Sequence, residues 1–399
     1  MAKMKIDIVI QRNSLISGIS FAITLLLMSA SFVISVAEDV GIATPPEGFG
    51  AVTQGGEGGR TIIVTNLSDS GSGSLRAALT TQEPRIIEFA VEGIIELKSR
   101  IQVTSGQVTI DGATAPGDGI TIMNHGIHFV GDCDDIIVRH LRIRVLMGGS
   151  SGDCLLFWGT EGGTVERVLI DHCSLMWATD EVVNTWGSVK DLTFQWTIIA
   201  EGQSEADHSK GPHSMGWLSG KGSDRITIHH CLFAHNGDRS PRIQGGVYDV
   251  VNNVIYNWTN HNATKIGEGA NVNVINNSYI PGPQSSDEQA CILPEQPDQG
   301  TKVYVSGNVS HLTPTGKEEQ WPNVVWFEPT DGRWITHYPA PDDFRAKERF
   351  QTSLVTTHSA KEAYEMVLSH VGPQARDADD IRVIQEVRDR TGHVGRGPR

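Results

Sequence analysis

Cysteine is scarce in this chain, and so is positive charge. Five cysteines, at positions 133, 154, 173, 231 and 291, serve 399 residues. That is too few to staple a fold of this size, and an odd count leaves at least one thiol outside any intrachain pairing. Only 32 Lys and Arg stand against 47 Asp and Glu, for a net charge of −15. Phosphate binding needs a basic stripe, so nucleic acid is excluded as the expected partner. The same acidity repels a polyanionic substrate unless something local reverses the sign. Long apolar runs are missing after residue 37, so no later segment is expected to cross a membrane.

The one long apolar run is N-terminal, from about Phe21 to Val36. Lys3, Lys5 and Arg12 precede it, and Ser35-Val36-Ala37 follows as a small-x-small cleavage site. That order reads as a signal peptide over residues 1–37, with a single membrane anchor as the competing reading. Export places the protein outside the cell or in the periplasm. The segment carries a net +2, so the remainder stands at −17.

What the chain does have is a repeat. Ile136-Ile-Val-Arg-His-Leu141, Val168-Leu-Ile-Asp-His-Cys173 and Leu192-Thr-Phe-Gln-Trp-Thr197 align with one another. So do Ile226-Thr-Ile-His-His-Cys231, Tyr248-Asp-Val-Val-Asn-Asn253, Val272-Asn-Val-Ile-Asn-Asn277 and Val303-Tyr-Val-Ser-Gly-Asn308. The last positions step by 32, 24, 34, 22, 24 and 31 residues. A base period near 22 with insertions at one corner predicts a parallel β-helix, each coil adding short strands. A β-sandwich also has short alternating strands, but it does not need the same side chain in the same column of successive units. Asn253, Asn277 and Asn308 are then expected to stack as a ladder inside a turn. Cys173 and Cys231 fall two coils apart, roughly 9–10 Å by strand spacing, too far to bond, so both are expected as buried free thiols. Cys133 and Cys154, about one coil apart, leave a bond open.

The fold class is therefore all-β. Its β-helix is expected over residues 38–345, with a short helix at Ser74-Leu-Arg-Ala-Ala-Leu79 capping the open end. Residues 346–399 form a helical extension. One helix is bounded by the capping box Ser359-Ala-Lys-Glu362 and the stop Gly372-Pro373, and a second runs from about Asp379 to Arg390. Both are expected to pack back on the barrel.

Several motifs carry chemistry. Gly55-Gly-Glu-Gly-Gly-Arg60, Val64-Thr-Asn-Leu67, Gly73-Ser-Leu-Arg-Ala-Ala78, Ile170-Asp-His172, Asp180-Glu-Val-Val-Asn184 and Arg239-Ser-Pro-Arg242 occur in that order. Together they resemble the secreted pectate lyases over roughly residues 45–310. That resemblance implies a right-handed parallel β-helix that cleaves α-1,4-polygalacturonate by β-elimination with Ca²⁺, giving unsaturated oligogalacturonides. It implies Asp153, Asp180 and Asn184 as calcium ligands and Arg239 as the base.

The residues bear on that implication. β-Elimination on a uronate adds charge to a group that is already anionic, so a cation must neutralise it; Ca²⁺, hard and oxygen-loving, suits this task. Ser151 and Asn184 are neutral where acids are common in the resembled family, which predicts weaker Ca²⁺ binding. Arginine holds its proton strongly, so Arg239 acts as base only if its cation is destabilised; otherwise it stabilises the enolate. A salt bridge from Arg239 to Asp238 is the structural alternative. Pro241 is expected to hold the arginine backbone extended, and Gln244 stands where the family has another cation.

Arg242, Lys265 and, on the loop Glu205–Met215, Lys210 and His213 are candidates for binding substrate carboxylates. His172 is expected to stack rather than catalyse. Trp177 and Trp186 are candidates for sugar stacking, and Trp196 for the core. The partner is an acidic polysaccharide, and a monomer is expected. The alternatives are a Ca²⁺-independent lyase on methyl-esterified pectin or another uronate polymer, and a non-catalytic glycan-binding surface protein.

Overall fold

Alternating apolar residues along short strands bury one face and build the coils. The computed structural model describes residues 45–397 except 261, 286–289 and 331–332. The expected signal peptide, residues 1–37, lies outside them. Among the described residues, three parallel sheets of ten, eight and eight strands wind about one core. Eight successive coils each give one strand to each sheet, and the first sheet carries one further strand at either end. Val165–Asp171, Ser174–Met176 and Glu181–Gly187 form one such coil, and Val189–Gln195 begins the next.

The sequence alignment is reproduced in register on the ten-stranded sheet. Ile136, Val168, Leu192, Ile226, Tyr248, Val272 and Val303 pair in succession across seven strands. All seven are fully buried. Each buried aliphatic or aromatic side chain contributes roughly 1.5–3 kcal/mol, so this column is a main source of cohesion. Phe129 stacks on Phe157 at 5.3 Å, and Phe157 meets Phe194 edge-on, filling the space towards the site-bearing sheet.

The asparagine ladder is present. Asn253 Nδ2 donates to Asn277 Oδ1 at 3.0 Å, and Asn277 Nδ2 donates to Asn308 Oδ1 at 3.1 Å. The same oxygens accept backbone N–H groups of Asn253 and Asn277, so the buried amides are satisfied along the axis. One residue earlier in the repeat runs a stack of rings. His172 lies 5.2 Å from His140 and 5.9 Å from Trp196, and Trp196 lies 4.4 Å from His230. His172 is thus a stacking residue, held by Asp171 Oδ1 2.6 Å from its Nδ1. All five cysteines are buried and free, which closes the question of a Cys133–Cys154 bond.

The helices fall where their caps are written. Ser74 Oγ accepts the Ala77 N–H and starts the helix Leu75–Leu79. Capping boxes at Ser359/Glu362 and Asp377/Asp380 start Ala360–His370 and Ala378–Asp389. Val367, Leu368, Val371, Val383, Ile384 and Val387 pack on Ile198, Leu232 and Val254 of the second sheet. Arg144, almost wholly buried, ties that sheet to Asp380 at 2.8 Å. The first sheet is crossed by the N-terminal segment, where Phe49 and Gly50 donate to Thr227 and Thr193, and by Phe350, which donates to Asn273. Segments inserted between the second and third sheets, such as residues 146–154 and 201–214, overhang the third sheet's face.

Candidate active site

Strand alternation places every second residue of the third sheet on its outer face. One outer column reads Gln102, His128, Leu156, Asn184, Leu218, Arg242, Lys265 and Leu293 in register. A cleft of about 220 Å³ opens on this face, lined by Asp153, Asp180 and Asn184 together with Ser151, His128 and Trp158. The three residues implied as calcium ligands therefore meet in one place. Asp180 immediately precedes the strand Glu181–Gly187 and Asn184 lies within it, so the four-residue spacing brings both to the cleft.

The donor set is oxygen-rich. Carboxylate oxygens of Asp153, Asp180 and Glu181 lie within 4.8 Å of one another. Asn184 Oδ1 is buried without a hydrogen-bond partner, an acceptor with nothing to accept. Hard oxygens around an orphaned carbonyl fit Ca²⁺. Asp153 is 2% exposed and accepts the Glu181 N–H at 3.2 Å. Burial, and then the charge of Asp180, push its carboxyl well above the usual range. Burial also works to raise Asp180, but His213 and His208 outweigh it and hold that carboxyl low. One carboxyl thus favours its proton while its neighbour stays ionised.

Arg239 reaches the same cluster from the next insertion. Its Nη1 pairs with Glu181 Oε1, and its Nε has no partner. Asp238 does not take the guanidinium; its Oδ1 accepts the Arg239 backbone N–H at 2.6 Å. The arginine backbone is left-handed, φ 61°, rather than extended as the proline suggested. Hydrogen bonds fix it from both sides, because the Trp217 N–H also donates to the Arg239 carbonyl. Burial first, then the neighbouring Arg242, lower the Arg239 guanidinium to about 10. Asp180 and Asp153 oppose that shift.

The remaining candidates divide. Arg242 and Lys265 are register partners on the outer face, both directed at Glu295. Lys265 also lines a second cavity of about 500 Å³ with Asp238, Leu293 and Trp326. Gln244 pairs with Gly267, two residues further along those strands than Arg242 and Lys265. His213 is buried with Nε2 3.0 Å from Asp180 Oδ1, so it faces the carboxylate rather than open groove. Lys210 is exposed on the loop rim and is not among the residues lining the cleft. Trp177 is buried, its Nε1 donating to Glu201, and cannot stack on a sugar. Trp186 is 42% exposed and pairs in register with Trp158, itself 45% exposed.

Three residues were missed in the sequence. Glu181 sits inside the quoted Asp180–Asn184 motif, but the resemblance singled out only positions 180 and 184. His208 stacks on His213 at 3.8 Å, its Nε2 3.2 Å from Asp180. Its place in a long insertion gave no periodic signal. Trp158 becomes visible only once its register with Trp186 is known.

No protein-family model matches the chain. A probable pectate lyase C of Aspergillus flavus is 42% identical over 243 residues, 60% of this chain and 54% of that protein. A probable pectate lyase 13 of Arabidopsis thaliana is 27% identical over 231 residues, covering 53% and 42%. The chain spans about half the length of the curated relatives it matches. Among solved structures, jun a 1, the major allergen of cedar pollen, superposes with TM-score 0.58 at 20% identity, covering 82% of this chain and 92% of that one. A pectate lyase variant from Xanthomonas campestris gives 0.55 at 17% identity, covering 83% and 98%. The structural likeness shows a shared fold, and the sequence likeness upholds the resemblance carried by the motifs.

Proposed function

We propose that this relative of the pectate lyases is itself a calcium-dependent pectate lyase, exported through its N-terminal segment and acting on polygalacturonate as a monomer. One observation supports the reading above the rest. Asp153, Asp180 and Asn184 line the cleft on the outer face of the parallel sheet, and Arg239 reaches that carboxylate cluster through Glu181.

Elimination removes the proton from the ring carbon that bears the carboxylate and expels the glycosidic oxygen from the adjacent ring carbon, leaving a double bond between the two carbons. Asp153, Asp180 and the orphaned oxygen of Asn184 hold Ca²⁺ in this reading. When bound, the ion neutralises the substrate carboxylate and so lowers the cost of the enolate-like intermediate. His213 and His208 keep Asp180 ionised and oriented for that task. Arg239, with its proton held less tightly than an ordinary arginine's, either takes the substrate proton or stabilises the charge that develops. Arg242 and Lys265, side by side on adjacent strands, bind carboxylates of neighbouring sugars lying across the strands.

A second reading has its own support. The exposed Trp158–Trp186 pair and the neutral Asn184 suit a less charged, partly methyl-esterified polymer. Product absorbance on polygalacturonate against esterified pectin, with Ca²⁺ or chelator, separates the two.

A further inference from the structure

Glu181 stands between the cation cluster and the arginine. It is 3% exposed, and its two oxygens face different ways. Oε1 takes the Nη1 of Arg239, while Oε2 accepts from Asn184 Nδ2 at 3.3 Å. The carboxylate also lies within the 4.8 Å cluster with Asp153 and Asp180. The Arg239 guanidinium supplies a positive charge against these three closely placed carboxyls.

A divalent ion in that cluster changes the balance. Two aspartates and one amide oxygen leave a Ca²⁺ shell short of its six to eight oxygens, and Glu181 is the adjacent anionic donor. A dication and a guanidinium sharing one small carboxylate cluster repel each other. Release of the guanidinium from Glu181 breaks no bond at its Nε, which has no partner.

We propose that Glu181 is a shared carboxylate: counter-ion to Arg239 in the ion-free protein, and ligand to the divalent cation in the loaded one. Cation binding thereby uncovers Arg239 towards the groove. Glu181 restores the negative charge that Ser151 and Asn184 withhold from the site, and it makes the arginine's availability conditional on the ion. The inference rests on the calcium reading above.

Two measurements test it without relying on turnover. Calcium titration by calorimetry of the unaltered chain and of Glu181→Gln compares affinities, and Kd rises by about 10-fold or more in the variant. Phenylglyoxal modification of Arg239, read by peptide mass, reports its release. In the unaltered chain the rate rises with Ca²⁺ over the same concentrations that fill the site; in Glu181→Gln it is fast with or without Ca²⁺. The unaltered chain alone keeps the proposal open to refutation if the variant does not fold. Calcium binding with an Arg239 rate that does not respond overturns the inference and leaves the calcium reading standing. So does an unchanged Kd in Glu181→Gln when Asp153→Asn loses binding. Absence of calcium binding by the unaltered chain overturns both.

Discussion

Arg242 and Lys265 stand side by side on adjacent strands of the third sheet and share one carboxylate, Glu295. Lys265 Nζ lies 2.9 Å from Glu295 Oε1, and Arg242 Nη2 lies 3.9 Å from Oε2. A polyuronate entering this face competes with Glu295 for both cations. The groups are about a fifth to a third exposed, so each interaction is worth only ~0.2–1 kcal/mol. Glu295→Gln is therefore expected to lower KM for polygalacturonate by about 1.5- to 5-fold, and Lys265→Ala to raise it by a similar factor. A rise in KM on removing Glu295 contradicts the assignment.

Arg239→Lys keeps a cation but loses the planar group that reaches Glu181 and the groove. Turnover is expected to fall by about 10²–10⁴, the range for a lost acid–base or charge-stabilising group. Circular dichroism should match the unaltered protein. Retention of most activity removes Arg239 from the reaction.

Gly216 positions Arg239 from behind. A Cβ at residue 216 would sit 2.5 Å from the Arg239 carbonyl oxygen, a backbone atom that cannot swing aside. Gly216→Ala is expected to displace the arginine segment, lowering kcat far more than it alters KM. A stability loss of about 1–3 kcal/mol accompanies it. Kinetics and urea midpoints check both parts.

Stability should depend on pH through buried histidines. Burial holds His128 and His140 down at about 4, and it also depresses His229 and His230. In the unfolded chain a histidine titrates near 6.5. As pH falls below about 6.5, the unfolded chain binds protons that the folded chain refuses. Stability is thus fully present above about pH 6.5 and is lost as pH falls towards 4. The slope is up to ~1.4 kcal/mol per pH unit for each such group. Urea midpoints at about pH 7 and pH 5 measure the loss, and His140→Gln should make it shallower.

Those histidines also show what the sequence made legible. The column His140, His172, Trp196, His230 follows from the repeat alone, because β-helix coils superpose identical positions. So does the asparagine ladder, and the capping box at Ser359/Glu362 located the first C-terminal helix.

Legibility ended where position is set by insertions or by neighbours across strands. Glu181 begins its strand, and its carboxylate meets Arg239, 58 positions later in sequence, a contact no local pattern announces. Trp177 looked available until Glu201 and the helices closed over it. The backbone of Arg239 was misjudged from Pro241, because hydrogen bonds from other coils fix it. His208, His213 and Lys210 share one loop, and only the fold separates the buried pair from the exposed lysine.

The most direct measurement is the formation of unsaturated product from polygalacturonate by the mature chain. It is best made at roughly pH 8–10, where a general base is more often free, with Ca²⁺ or with excess chelator. The account predicts a steady absorbance rise with Ca²⁺ that chelator abolishes and added Ca²⁺ restores. No Ca²⁺-dependent rise contradicts it.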